Sequence, residues 1–355
     1  MVVTTRFWER RKVFITGYTG FKGSWLSLWL HNRGAEIYGY ALPPEEEGLF
    51  ESARIDELTR GEFSDVCDRI ALTQAVRAFS PEIVFHLAAQ PLVRLSYADP
   101  VQTYATNVMG TVHLLDAVRQ VNSVRSVVVV TSDKCYENRE WSWPYRETDT
   151  LGGFDPYSNS KGCAELVSSA FRNSYFSPTA APQHSALIAT ARAGNVIGGG
   201  DWSIDRLVPD VIRAARNGSS VQIRYPNAIR PWQHVLEPLA GYMTLGERLY
   251  NGDRSAAEAW NFGPDTTSEW PVASVVSQLC TLLGNGASWE HVGGQFLHEA
   301  TYLSLDSSKT RQKLNWNPKW TTNEALSQTV GWYRSQMNGS DMRKFSLQQI
   351  ADYES

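Results

Sequence analysis

Cysteine is scarce in this chain. Cys67, Cys135, Cys163 and Cys280 stand alone among 355 residues. They form no Cys-x-x-Cys pair, and their spacings match no zinc site, so no metal is expected. Scattered free thiols suit a reducing, cytoplasmic setting. Long apolar runs are missing as well. No stretch approaches the roughly 18 apolar residues of a membrane-crossing helix, and the segment from Met1 to Arg11 lacks the apolar core of a secretory leader. Charge of one sign is not in excess. The formal net charge is −4, which makes nucleic acid and anionic membranes poor expected partners. There is no repeat or low-complexity tract, and the polar last stretch, about fifteen residues, is expected to fray.

What is there is a soluble globular composition, 42% hydrophobic and 20% charged, with chain enough for one large or two medium domains. Thirteen Trp and fifteen Tyr are more than a core needs, and some are expected to line a site for a flat or sugar-like ligand.

The chain is organised around the stretch from Thr131 to Lys161. Four consecutive valines, Val127 to Val130, predict a fully buried central strand. Thr131-Ser132-Asp133-Lys134-Cys135-Tyr136 then falls at the strand's C-terminal end, where open α/β sheets bind ligands. Tyr157 and Lys161 are four apart and share one face of the helix that follows. An ammonium beside a phenol is expected to lower the phenol's pKa. Tyr157 then serves as acid and base near neutral pH, and Ser132 shares the substrate's proton.

A Tyr-x-x-x-Lys string alone is a weak signal, and the N-terminus strengthens it. Lys12 to Thr16 predicts a strand, Gly17-Tyr18-Thr19-Gly20-Phe21-Lys22-Gly23 a turn, and Ser24 to Leu30 an apolar helix. In that context Gly17 permits the tight turn, Gly20 lets a pyrophosphate approach, and Gly23 lets helix and strand pack closely. The helix N-terminus offers N–H groups to phosphate. Ala35–Ala41 predicts the second strand. No acid ends it to bind a ribose 2′-hydroxyl, and the first carboxylate is Glu45, so NAD and NADP both stay open. Asp65 and Val66 end a third strand, with Asp65 placed near an adenine. Ile83 to Leu87 predicts the fourth strand, and Leu87, Ala88 and Ala89 give a cofactor small residues to lie against. His86, inside that strand, reads as a satisfied core histidine.

Helices are predicted from Pro100 to about Gln120 and from Tyr157 to about Phe176. Two from each of two subunits would make a four-helix interface, giving a homodimer or homotetramer. Ala186 to Ala191 predicts the sixth strand. Strict alternation loosens after it. The expected fold is therefore α/β: a Rossmann-type doubly wound parallel sheet, mainly residues 1–195, with a smaller substrate lobe, mainly 196–355, interleaved with it.

With Gly17, Gly20, Gly23, Ser132, Tyr157 and Lys161 in this order, the chain resembles the extended short-chain dehydrogenase/reductase superfamily over nearly its whole length. Its finer strings, Thr16 to Leu26, Thr131 to Asn138 and Tyr157 to Glu165, look like those of the nucleotide-sugar 4,6-dehydratases acting on CDP-D-glucose, in bacterial O-antigen sugar synthesis. The resemblance implies the chemistry. Tyr157 takes the 4-hydroxyl proton while hydride leaves C4 for NAD⁺. The 4-ketone acidifies C5–H, water is lost across C5 and C6, and hydride returns to C6. Related dehydratases use an Asp–Glu pair for the elimination. Here Asp133 and Lys134 stand in those places, Asp133 as acid if burial raises its pKa. Lys134 is either the C5 base or only an ion-pair partner of Asp133. The resemblance also assigns Asn195, Arg206 and Arg230 to the substrate diphosphate, where a planar guanidinium binds two oxygens. Glu299 and Tyr302 fall to the base-and-diphosphate region. Phe21 and Lys22 join the glycines at the cofactor. Two other functions fit the same residues: a nucleotide-sugar 4-epimerase, which needs no elimination pair, and a non-catalytic NAD(P) sensor.

Overall fold

A computed structural model describes residues 6–176, 184–265, 268–284, 286–294 and 301–355. Strands β1 (Lys12–Thr16), β2 (Glu36–Ala41), β3 (Arg60–Phe63), β4 (Ile83–His86), β5 (Ser126–Val130) and β6 (Leu187–Arg192) come first. Then follow β7 (Val196–Ile197), β8 (Val221–Ile223), β9 (Ile229–Pro231), β10 (Gln233–His234), β11 (Ala259–Asn261), β12 (Glu269–Pro271) and β13 (Trp289–His291). Seven of them form one sheet in the order β3-β2-β1-β4-β5-β6-β11, every pair parallel. The order reverses between β1 and β4, which opens a crevice at the strands' C-terminal ends.

The four-valine strand behaves as its sequence demands. Val128 and Val130 face one apolar core with Trp25, Leu239 and Trp260. Val127 and Val129 face the other with Leu115 and Val118. Each buried valine contributes about 1.5–3 kcal/mol, and a central strand covered on both faces has no polar alternate register. His86 is a satisfied core residue, bonded to Thr16 Oγ1 at 2.6 Å and Thr111 Oγ1 at 3.2 Å.

Helices cover both faces. Pro100–Val118 runs as expected from an Asp99 cap, but its middle, Ala105–Met109, widens into a π-helical turn. Helix Pro156–Ser174 starts on an Asp155 cap. Past residue 195 the chain keeps returning to the sheet. β11 is its seventh strand, and helix Leu236–Tyr250 buries Leu239, Met243 and Leu245 in the sheet's first core. The remaining short strands pair as β7–β10, β8–β13 and β9–β12. The C-terminus does not fray as its polar sequence suggests. Met342–Glu354 is a helix that buries Met342, Ile350 and Tyr353, and Glu354 pairs with Arg33. A few well-placed apolar side chains outweigh a polar composition there.

Candidate active site

The first turn of helix Phe21–Asn32 has no side-chain cap and no acid. Its N–H groups are open to an anion, as phosphate binding at a helix N-terminus requires. The glycines divide the work. A Cβ on Gly23 would stand 2.0 Å from Gly17 O, and one on Gly17, at φ +74°, would stand 2.7 Å from Ala88 N. These two bring helix and strands together. Gly20 is exposed, and its Cβ would meet only Gly17 O at 3.5 Å. Protein packing does not require Gly20, which leaves a bare cradle for a ligand at the helix end. Leu87, Ala88 and Ala89, half-buried, lie beside it. Asp65 Oδ1 accepts from Cys67 N at 2.9 Å, and Val66 is buried with its carbonyl on His113. The Phe21 ring packs toward Gly198 rather than into the cradle. These residues fit a dinucleotide.

Beyond the cradle opens a cavity of about 340 Å³. Ser132, Asp133, Lys134 and Tyr157 stand on its wall. So do Asn195, Arg206 and Arg230, brought from the second half of the chain. Ser132 caps the turn Asp133–Cys135. Its hydroxyl donates to Asp133 Oδ1 at 2.9 Å and accepts from Lys134 N at 3.2 Å. Asp133 is 2% exposed, and its Oδ2 has no hydrogen-bond partner among the described residues. Gly194 makes room for it, since a Cβ there would fall 1.8 Å from that oxygen. The Lys134 ammonium has no ion pair or hydrogen bond among the described residues, so the expected alternative of a Lys134–Asp133 pair is not formed.

The electrostatics of Tyr157 reverse one expectation. Burial pushes its phenol up to about 12, Asp133 adds to the rise, and the bond with Ser132 opposes it. Lys161 was expected to pull it down. Burial also disfavours the Lys161 ammonium and lowers it to about 8. In a dry site desolvation of both groups exceeds what one ammonium returns. Arg206 is also disfavoured by burial, but Asp201 outweighs that and holds it charged, at 2.9 Å. Asn195 takes a left-handed backbone at φ 44°. Tyr302 stands off the cavity wall, donating its hydroxyl to Glu269 Oε2 at 3.0 Å. Glu299 lies outside the described residues.

Residues 14–329 match the family described as GDP-mannose 4,6 dehydratase. The chain belongs to this family. A CDP-glucose 4,6-dehydratase of Salmonella typhimurium is 52% identical over 353 residues, 99% of this chain and 98% of that protein. The fold is shared with a Bacillus anthracis dTDP-glucose 4,6-dehydratase solved with NAD, at TM-score 0.76 and 21% identity, over 94% of this chain and 99% of that one. It is shared equally with a UDP-glucose 4-epimerase of Thermotoga maritima, at TM-score 0.79 and 21% identity, over 92% and 99%.

In this member of the 4,6-dehydratase family, several site residues escaped the sequence reading. Asp201, 5% exposed, orients Arg206. Arg94, on the cavity wall, reaches Asp205 at 2.6 Å. Glu165 and Arg192 form a buried pair behind Lys161 at 2.8 Å. Glu165 alone had a readable signal. It stands four residues past Lys161 and eight past Tyr157, an acid on the buried face of one helix.

Proposed function

We propose that the protein is an NAD-dependent hydro-lyase that converts CDP-D-glucose to CDP-4-keto-6-deoxy-D-glucose. The observation that carries this reading is the placement of Asp133 and Lys134 beside Ser132 and Tyr157 on one cavity wall. The 52% identity to the Salmonella enzyme over 99% of the chain supports the nucleotide sugar and its base. Fold likeness cannot separate a dehydratase from an epimerase, because both share it. The elimination pair can, since an epimerase needs no group to expel the C6 hydroxyl.

The residues divide the reaction. Gly17, Gly20, Gly23 and the uncapped helix would hold the cofactor's phosphates, with Asp65 and Val66 toward its adenine and Leu87–Ala89 beneath it. Bound NAD⁺ supplies a hydride acceptor that gives back what it takes. Tyr157 removes the 4-hydroxyl proton, with Ser132 in the same hydrogen-bond set and Lys161 one turn behind. Lys134, which has no ion pair or hydrogen bond from its side chain among the described residues, takes the C5 proton. Asp133 gives a proton to the departing C6 hydroxyl. Arg206, Arg230 and Asn195 hold the diphosphate. Four free cysteines fit a cytoplasmic enzyme. Exposed Val101, Met109 and Leu166 on helices Pro100–Val118 and Pro156–Ser174 fit a homo-oligomer built through those helices; sedimentation at micromolar concentration should show a dimer or larger.

The test is incubation with CDP-D-glucose and NAD⁺. Keto-sugar formed without net NADH supports the reading. Net NADH would make it a simple dehydrogenase. Turnover that survives Asp133→Asn would favour the epimerase.

A further inference from the structure

Lys22 lies within the glycine-rich turn, where sequence places it at the cofactor. It stands on the wall of the catalytic cavity with Asp133 and Tyr157. Its ammonium sits 5.9 Å from the centre of the Tyr242 ring. Tyr242 is 0% exposed, and its hydroxyl has no partner among the described residues. The same is true of Asp133 Oδ2. Asp133 acts on both Lys22 and Tyr242. So a half-buried lysine and the elimination acid, with its orphaned oxygen, line one cavity, and the buried Tyr242 ring lies beside the lysine.

That pocket answers a question the elimination leaves open. Each turnover strips a proton from Asp133, which is only 2% exposed. We propose that Lys22 is a positioning residue that acts through Asp133, restoring the proton Asp133 gives to the C6 oxygen. This rests on the dehydratase reading. In the step, the Asp133 carboxyl protonates the C6 oxygen as the C6–O bond breaks, and water leaves. The Asp133 carboxylate then takes a proton from the Lys22 ammonium through water in the cavity, since the two make no direct ion pair or hydrogen bond among the described residues. The resulting amine recovers one from solvent at the cavity.

The surroundings of Lys22 suit a group that gives up a proton and regains it. Burial, with Arg206 and Lys161, brings it down to about 7, while Asp133 and Asp201 pull the other way. The neutral phenol of Tyr242 offers its ring face to the cation, and burial with Asp133 and Tyr157 keeps that phenol protonated.

The test replaces the leaving group. Fluoride departs as an anion, so CDP-6-deoxy-6-fluoro-D-glucose needs no acid at C6. Lys22→Met and Lys22→Arg are compared with the parent on both substrates, with NAD⁺ affinity and thermal melting measured alongside. Met keeps the stem. Arg keeps a charge that cannot be given up. With CDP-D-glucose both variants should lose about 10²-fold in kcat, the usual contribution of a positioned acid. With the fluoro sugar both should come within roughly threefold of the parent, as the acid is no longer needed. Equal losses on both substrates, rescue by Arg, or a loss confined to NAD⁺ affinity would each overturn the relay. A parent that forms no keto-sugar from either substrate would overturn the dehydratase reading itself, and that outcome is seen before any variant is made.

Discussion

One ion pair lies buried behind Lys161 and another lines the cavity, and they are built differently. Behind Lys161, Glu165 and Arg192 are each only 3% exposed and pair in a fork, Nη2 to Oε2 at 2.8 Å and Nε to Oε1 at 2.9 Å. Thr131 and Thr190 donate to the same carboxylate, at 2.5 and 2.7 Å. Burial alone would raise Glu165, but Arg192 and the threonines hold it below the usual carboxylate range. At the rim, Arg94 and Asp205 pair at 2.6 Å with 51% and 30% of their side chains exposed. The inner pair ties the helix of Tyr157 and Lys161 to the ends of β5 and β6, one residue from Ser132. The outer pair joins two segments that line the cavity. Chemistry is held by buried, fully bonded charge, and access is left to charge that water can replace.

The largest effect should come from breaking the inner fork. Glu165→Gln leaves Arg192 buried without its counter-charge and should cost about 3–5 kcal/mol, read by urea unfolding. Replacing the pair by Leu and Met together should recover about half of that or more, because the desolvation of both charges is removed with them. A single variant as stable as the parent would mean the fork holds nothing. Next is Gly194→Ala. Its methyl would strike Asp133 Oδ2, and overpacking of this kind costs about 1–3 kcal/mol. Here the cost should appear in kcat as well as melting, because the atom displaced is the proposed acid. Normal turnover by Gly194→Ala would show that Asp133 is free to move.

The inner region was only partly legible in the sequence. Short-range patterns carried the glycine turn, the buried β5, Ser132 at its end and the Tyr157–Lys161 face, because each is set within one element or one turn. What failed depends on residues distant in the chain. Arg192 meets Glu165 only once β6 lies beside β5, and Gly194 is needed only because Asp133 packs against it. Lys22 belongs to a phosphate-binding string, and only the fold shows that it also lines the cavity. The sign of the Tyr157 shift was missed for a related reason. Spacing shows that a lysine is near, and only the fold shows how dry both groups are.

Dryness gives the next prediction. Lys161 is lowered from 10.5 to about 8 by burial, so the unfolded chain binds its proton more tightly than the folded one. Between about pH 8 and 10.5 the unfolded state holds more protons, and the Lys161 contribution to stability rises with pH. The penalty for burying the ammonium is in full force below pH 8. Lys161→Met should therefore be more stable than the parent below pH 8, and its advantage should shrink as the pH approaches 10.5. An advantage that does not change with pH would mean Lys161 keeps its charge in the fold.

The smallest effect belongs to the rim. Half-exposed pairs are worth about 0.2–1 kcal/mol, so Arg94→Ala should barely alter melting. Its consequence should fall on entry. Arg94 holds Asp205, and Asp205 precedes Arg206, which Asp201 holds from the other side. Freeing Asp205 loosens one neighbour of Arg206, the arginine proposed to hold the diphosphate, without touching Ser132, Asp133 or Tyr157. KM for the nucleotide sugar should rise by a few-fold at constant kcat, the pattern of lost uniform binding, and the rise should fade in high salt, where the parent's own pair is screened. If kcat fell instead, the rim would be coupled to the chemistry, and the division between a rigid inner pair and a replaceable outer one would not hold.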